Sequence, residues 1–190
     1  MWTHLDEASH RLISAEIDRQ EDRGAAIIAA AFLEDRLLFC LANHFKNRDR
    51  FLENQLFRGL GPLSSFSAKI DIAFLLGIFD QEGRDQIHII RRVRNAFAHT
   101  MTPLQFTSSN ISDMCSNLPN FKKALEILTT PTSDIKYLEI MKPFYESLAN
   151  VEDSPRNRYM NSIKLYLLVL SLIGTAVSIK EPQDSRPSSI

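Results

Sequence analysis

Apolar residues recur three and four positions apart along nearly the whole chain, and strict two-residue alternation is almost absent. The pattern predicts an all-α protein, a single-domain helical bundle. An opening helix is expected over 3–19, with Leu5, Ala8, Leu12, Ala15 and Ile17 on one side. A stronger helix is expected over 22–45. There Ala25, Ala29, Phe32, Leu33, Leu37, Cys40, Leu41 and His44 share a broad face, and no proline interrupts them. Its many alanines would let a neighbouring backbone approach closely. The text RGLGPLSS at 58–65 is a turn, with Ser64 or Ser65 placed to cap a third helix that runs to Phe79. After a polar joint at 80–83, a fourth helix is expected over 84–99.

Beyond His99 the periodicity weakens at Pro103, Ser108 and Ser109, and a short helix is expected at 111–118 with Asn110 as its cap. Helical fragments are expected at 121–128 and 134–148, the latter broken by Pro143. Ser154 followed by Pro155 reads as the N-cap and first position of a last long helix. The run LYLLVLSLIGTAVSI at 165–179 is bounded by Lys164 and Lys180. A membrane span needs about 20 apolar residues, so this run is expected to be a core helix. The domain is therefore drawn over 1–180, and EPQDSRPSSI at 181–190 is expected to be a disordered tail.

Charge narrows the functional classes. With 22 Lys plus Arg against 23 Asp plus Glu, the formal net charge of −1 gives no global pull toward nucleic acid. Cys40 and Cys115 are far apart and form neither a disulfide framework nor a zinc knuckle. Free buried thiols are expected, and so is a cytoplasmic location, because Asp6 and Glu7 interrupt any signal-peptide core. Gly59 and Gly61 lack the lysine and spacing of a phosphate loop. No cofactor and no metal are expected.

The fourth helix holds the candidate chemistry. Advancing 100° per residue from Arg91, the residues Ile89, Ile90, Val93, Ala96 and Phe97 fall at roughly 140° to 260°, and Arg84, His88, Arg91, Asn95 and His99 at roughly 0° to 80°. Arg94 flanks the polar stripe. Two guanidiniums can grip a phosphodiester through forked N–H donors, and a histidine can take or give a proton near neutral pH. Arg91, Arg94, His88 and Arg84 are thus candidate phosphate- or partner-binding residues. Arg94, Asn95 and His99 could serve a ribonuclease in which the RNA 2′-hydroxyl attacks the adjacent phosphorus without a metal. A helix that simply places basic residues at its negative end reads equally well. Glu34 could support the site by pairing with Arg91 or Arg94, whereas Lys69 and Asp71 read as solvent-facing or salt-bridge residues.

Arg94-Asn95-Ala96-Phe97-Ala98-His99 resembles the R-N-x-x-x-H signature of the HEPN superfamily. These are helical proteins that often dimerise and include RNases, toxins and inactive binding members. The resemblance implies catalytic roles for Arg94 and His99 and an assisting role for Asn95. A longer set of blocks is similar to the mannitol operon repressor family: Asp22-Arg23-Gly24-Ala25-Ala26-Ile27, Phe32-Leu33-Glu34-Asp35-Arg36-Leu37, Leu56-Phe57, Gly61-Pro62-Leu63-Ser64-Ser65-Phe66-Ser67-Ala68-Lys69-Ile70-Asp71, and Ile90 through His99. Pro155-Arg156-Asn157-Arg158-Tyr159 adds a weaker match. This resemblance implies a cytoplasmic, all-helical, homodimeric transcriptional repressor, with no implication that it controls mannitol. No recognition helix after a short turn is evident. A protein partner, or contact with the DNA backbone through paired arginine clusters, therefore fits better than base reading. RNA is the partner under the ribonuclease alternative, and no membrane partner is expected.

Overall fold

The computed structural model describes residues 17, 19–47, 49–121, 146, 148 and 150–179. The expectations for 3–19, 121–128, 134–148 and 181–190 lie largely or wholly outside these residues. Six helices are described: α1 (Asp22–Asn43), α2 (Arg50–Phe57), α3 (Phe66–Leu75), α4 (Gln81–His99), α5 (Ser109–Ser116) and α6 (Pro155–Ile179). All regular structure among the described residues is helical, as the periodicity requires.

α1 is the central element, packed against α3, α4 and α6. Ala25, Ala26, Ala29, Ala30, Leu33, Leu37, Cys40 and Leu41 are buried along it at three- and four-residue spacing. Its small side chains permit the expected close approach: the Tyr159 hydroxyl on α6 donates to the Ala26 carbonyl at 3.0 Å. Arg36 is buried on the same helix. Its guanidinium lies 5.5 Å from the Phe39 ring centroid, and its Nε has no hydrogen-bond partner. Desolvation lowers its pKa, partly offset by the neighbouring Cys40.

Helix boundaries follow local capping chemistry. α2 is an addition to the sequence reading: Asp49 accepts the Phe51 and Leu52 amides at 2.8 and 3.1 Å and so starts a two-turn helix. Ser65 caps α3 through the Ala68 amide at 3.1 Å. α3 stops at Leu75 rather than Phe79 because Gly77 adopts φ +71°. There the Ile78 amide returns to Ala73 O and the Gly77 amide to Phe74 O, at 3.0 and 2.9 Å. α4 begins at Gln81, three residues ahead of expectation, because Asp80 accepts the Gly83 amide at 2.9 Å. α5 begins at Ser109, so Asn110 lies inside its first turn rather than capping it. Ser154 caps α6 through the Asn157 amide at 3.2 Å, with Pro155 in the first position as expected.

α6 buries Tyr159, Met160, Ile163, Tyr166, Leu167 and Leu170 against the other helices. Among the described residues, no helix is long and apolar enough to cross a membrane. Both cysteines are free and buried. Burial pushes the Cys40 thiol up to about 11 and the Cys115 thiol up to about 12, against smaller opposing effects of Arg36 and Arg158. Neither is a ready nucleophile at neutral pH.

Candidate functional site on the polar face of α4

The two faces of α4 separate as the helical projection predicts. Ile87, Ile89, Ile90, Val93 and Phe97 are buried, with Ile90 and Phe97 at 0% exposure, so the opposite stripe must face outward or toward α3. α3 divides that stripe into two parts.

In the first part, Asp71 on α3 accepts Arg84 Nε at 2.8 Å and lies 2.6 Å from Arg84 Nη2 and 3.1 Å from His88 Nε2, all at Oδ1. Arg84 also lies 5.6 Å from the Phe74 ring centroid and 3.9 Å from Asp85. Arg84 and His88 are therefore joined to a carboxylate and tie α4 to α3. Burial on its own would raise the Asp71 carboxyl, but the hydrogen bonds and positive charge of Arg84 and His88 together hold it below its ordinary value.

A depressed folded-state pKa makes the carboxylate stabilising above its unfolded value of about 3.9, and that contribution disappears as pH falls through the lower folded value. Asp71→Asn is thus expected to be less stable than the native chain at neutral pH, with the gap closing below about pH 4. Urea denaturation of both proteins across this range measures it. A gap that stays constant down to pH 2 would show that charge on Asp71 is not what holds the two helices.

In the second part, Arg94 Nη1 donates to Asn95 Oδ1 at 2.9 Å. Both side chains are half-buried, and His99 is exposed at the last helical position. Arg91 is half-buried, with its Nε enclosed and without a hydrogen-bond partner. The structure therefore brings Arg94 and Asn95 together. Among the described residues, no hydrogen bond joins His99 to either of them. Arg94 is also near enough to the core for its charge to act on Tyr159. Burial raises the Tyr159 hydroxyl far above its usual value, Cys115 adds to this, and Arg94 opposes it.

Glu34 stands elsewhere. Its Oε1 accepts Lys69 Nζ at 2.5 Å, and Lys69 also donates to Ser64 O at 2.9 Å. The expected support of Arg91 or Arg94 by Glu34 is replaced by a bridge between α1 and α3. Spacing along the chain cannot pair these residues, because i,i+4 arithmetic works only within one helix. Among the described residues, no group of three or more His, Cys, Asp or Glu side chains is placed to hold a metal ion.

Chemically, the part of the face not joined to Asp71 offers the Arg91 and Arg94 guanidiniums, with Asn95 and His99 as polar partners, suited to carboxylates or phosphates. No acidic residue occurs between Asp85 and Asp113 to neutralise it from within the same stretch of chain.

Comparison with known proteins places the fold. No protein-family model matches the chain, and no curated protein is recognisably similar in sequence. Among solved structures, the X-ray structure of the MtlR–HPr complex from Escherichia coli contains a chain of similar fold. The TM-score is 0.59 and the identity 16%, over 85% of this chain and 97% of that one. What the two share at this identity is the all-helical architecture.

Proposed function

We propose that this chain is a cytoplasmic regulator of the mannitol operon repressor type, acting as a homodimer by binding a protein partner through the outward part of α4. The observation that carries the reading is the division of the polar stripe. Arg84 and His88 are taken up by Asp71, leaving the Arg91 and Arg94 guanidiniums with Asn95 and His99 as a polar surface over the buried core. Such a surface suits an acidic or phosphorylated protein. The fold likeness to a chain found in complex with HPr gives the first partner to try. Reading of DNA bases is a poorer fit, since the buried side of α4 is held by the core and Arg84 and His88 on its outer side are held by Asp71.

The test is isothermal titration of the full chain with purified HPr. Saturable binding is expected, weakened at least about tenfold by Arg91→Glu together with Arg94→Glu and weakened further by added salt. Absence of binding by the unaltered chain, or equal binding by the variant, overturns the proposal.

A second reading, an endoribonuclease, is favoured by the Arg94–Asn95 hydrogen bond with His99 four residues further along the same helix. In it His99 removes the 2′-hydroxyl proton as that oxygen bonds to phosphorus, the P–O5′ bond breaks, the leaving 5′-oxygen takes a proton from water, and Arg94 offsets charge on the phosphoryl oxygens. Single-stranded RNA incubated with the native chain and with His99→Ala in the presence of a chelator separates the readings. Equal cleavage by both, or none by either, rejects the ribonuclease.

A further inference from the structure

α4 ends at His99, and the chain then runs without regular structure through Thr100, Thr102 and Pro103 to Phe106. Proline at 103 disfavours helix at Thr102, so the carbonyls just beyond α4 have no helical partners. The start of α1 supplies them. Arg23 Nη2 donates to Thr100 O at 2.8 Å and to Thr102 O at 2.9 Å. The adjacent residue, Asp22, accepts the Phe106 amide at Oδ2, 2.8 Å away, and pairs through Oδ1 with Arg156 Nη1 of α6. Arg156 reaches on to Gln20 O at 3.0 Å and lies 5.9 Å from the Phe106 ring centroid. The Phe106 ring itself is 4.9 Å from Phe97 of α4 and 5.3 Å from Tyr159 of α6.

The strap is thus pinned at both ends, while Met101 between them is 98% exposed. One guanidinium nitrogen donating to two carbonyls two residues apart ties both to the start of α1. The residue immediately before the first of those carbonyls is His99.

We infer that Asp22, Arg23 and Arg156 are positioning residues that fix the C-terminal end of α4, and with it His99, relative to Arg94 and Asn95. The use made of that face rests on the proposed function; the positioning does not. The experiment is an NMR comparison of the full chain with Arg23→Gln, which removes the charge and shortens the reach to the two carbonyls. His99 ring and Thr100 amide signals are the readout, and the His88 ring, held by Asp71 on α3, is the internal reference.

Arg23→Gln is expected to shift or broaden the His99 and Thr100 signals, leave His88 in place, and weaken HPr binding about fivefold through the displaced end of α4. Arg23→Lys is expected to restore part of both effects, and it carries the same measurement should Arg23→Gln fail to fold. Unchanged His99 and Thr100 signals overturn the inference. Altered His99 signals in a chain whose native form does not bind HPr uphold the inference and remove the partner reading instead.

Discussion

Truncation of Tyr159 to alanine is expected to cost about 3–5 kcal/mol of folding stability. At 0% exposure the ring lies where three helices meet: its hydroxyl donates to Ala26 O of α1 at 3.0 Å and approaches Ile90 O of α4 at 3.5 Å, and the residue itself belongs to α6. Its loss would leave a cavity walled by main chain and by the Phe106 ring, 5.3 Å away. The alanines that allow this approach have short side chains and cannot extend to fill it. For a domain of this size the melting temperature should fall by roughly 6–20 °C.

Tyr159→Phe keeps the ring and removes one hydrogen bond, so a loss of about 0.5–1.5 kcal/mol is expected. Urea unfolding of the two variants measures both, and the ratio between them separates packing from hydrogen bonding. An alanine variant that loses less than about 1 kcal/mol would show that the helices close around the gap, contrary to the packing argued from α1.

The long helices were legible because each carries its signal within itself. α1 and α6 are long enough for their apolar residues to repeat over several turns, and the inward direction of Ile90 and Phe97 followed from angle alone. α2 was not legible: of its apolar residues Phe51 and Leu52 are exposed and Phe57 is buried, so no stripe marks eight residues as a helix, and the signal lay in the Asp49 cap. The end of α3 depended on Gly77, which resembles a small core residue in a periodic pattern but adopts a left-handed conformation.

For the candidate site, the sequence placed Arg84, His88, Arg91, Asn95 and His99 on one face but carried no information about what lies opposite. That Asp71 joins Arg84 and His88, and that Asp22 and Arg23 hold the strap beyond His99, are facts of tertiary contact. The blocks around Asp22-Arg23 and Arg156 marked these residues without a reason, and the clamp supplies one. Arg36 illustrates the reverse: its angle alone places it on the buried arc of α1, whatever its charge.

The bridge between Glu34 and Lys69 leads to the other large effect. Lys69 is buried at 5% exposure, and its ammonium is held by Glu34 Oε1 at 2.5 Å and Ser64 O at 2.9 Å. Glu34→Ala leaves that cation enclosed with a carbonyl but no counter-charge, and breaking a buried pair in this way costs about 3–5 kcal/mol. Replacing both partners by apolar residues of similar length, Glu34→Leu with Lys69→Met, removes the desolvation cost along with the attraction and is expected to be neutral or stabilising by up to about 4 kcal/mol. The double variant should therefore be more stable than the single one, an ordering that an additive pair of surface charges cannot produce. Urea unfolding of the native chain, Glu34→Leu, Lys69→Met and the double variant closes the cycle, with Glu34→Ala measured beside it. If Glu34 instead served the arginines of α4, Glu34→Ala would weaken partner binding while sparing stability, and the double variant would recover nothing.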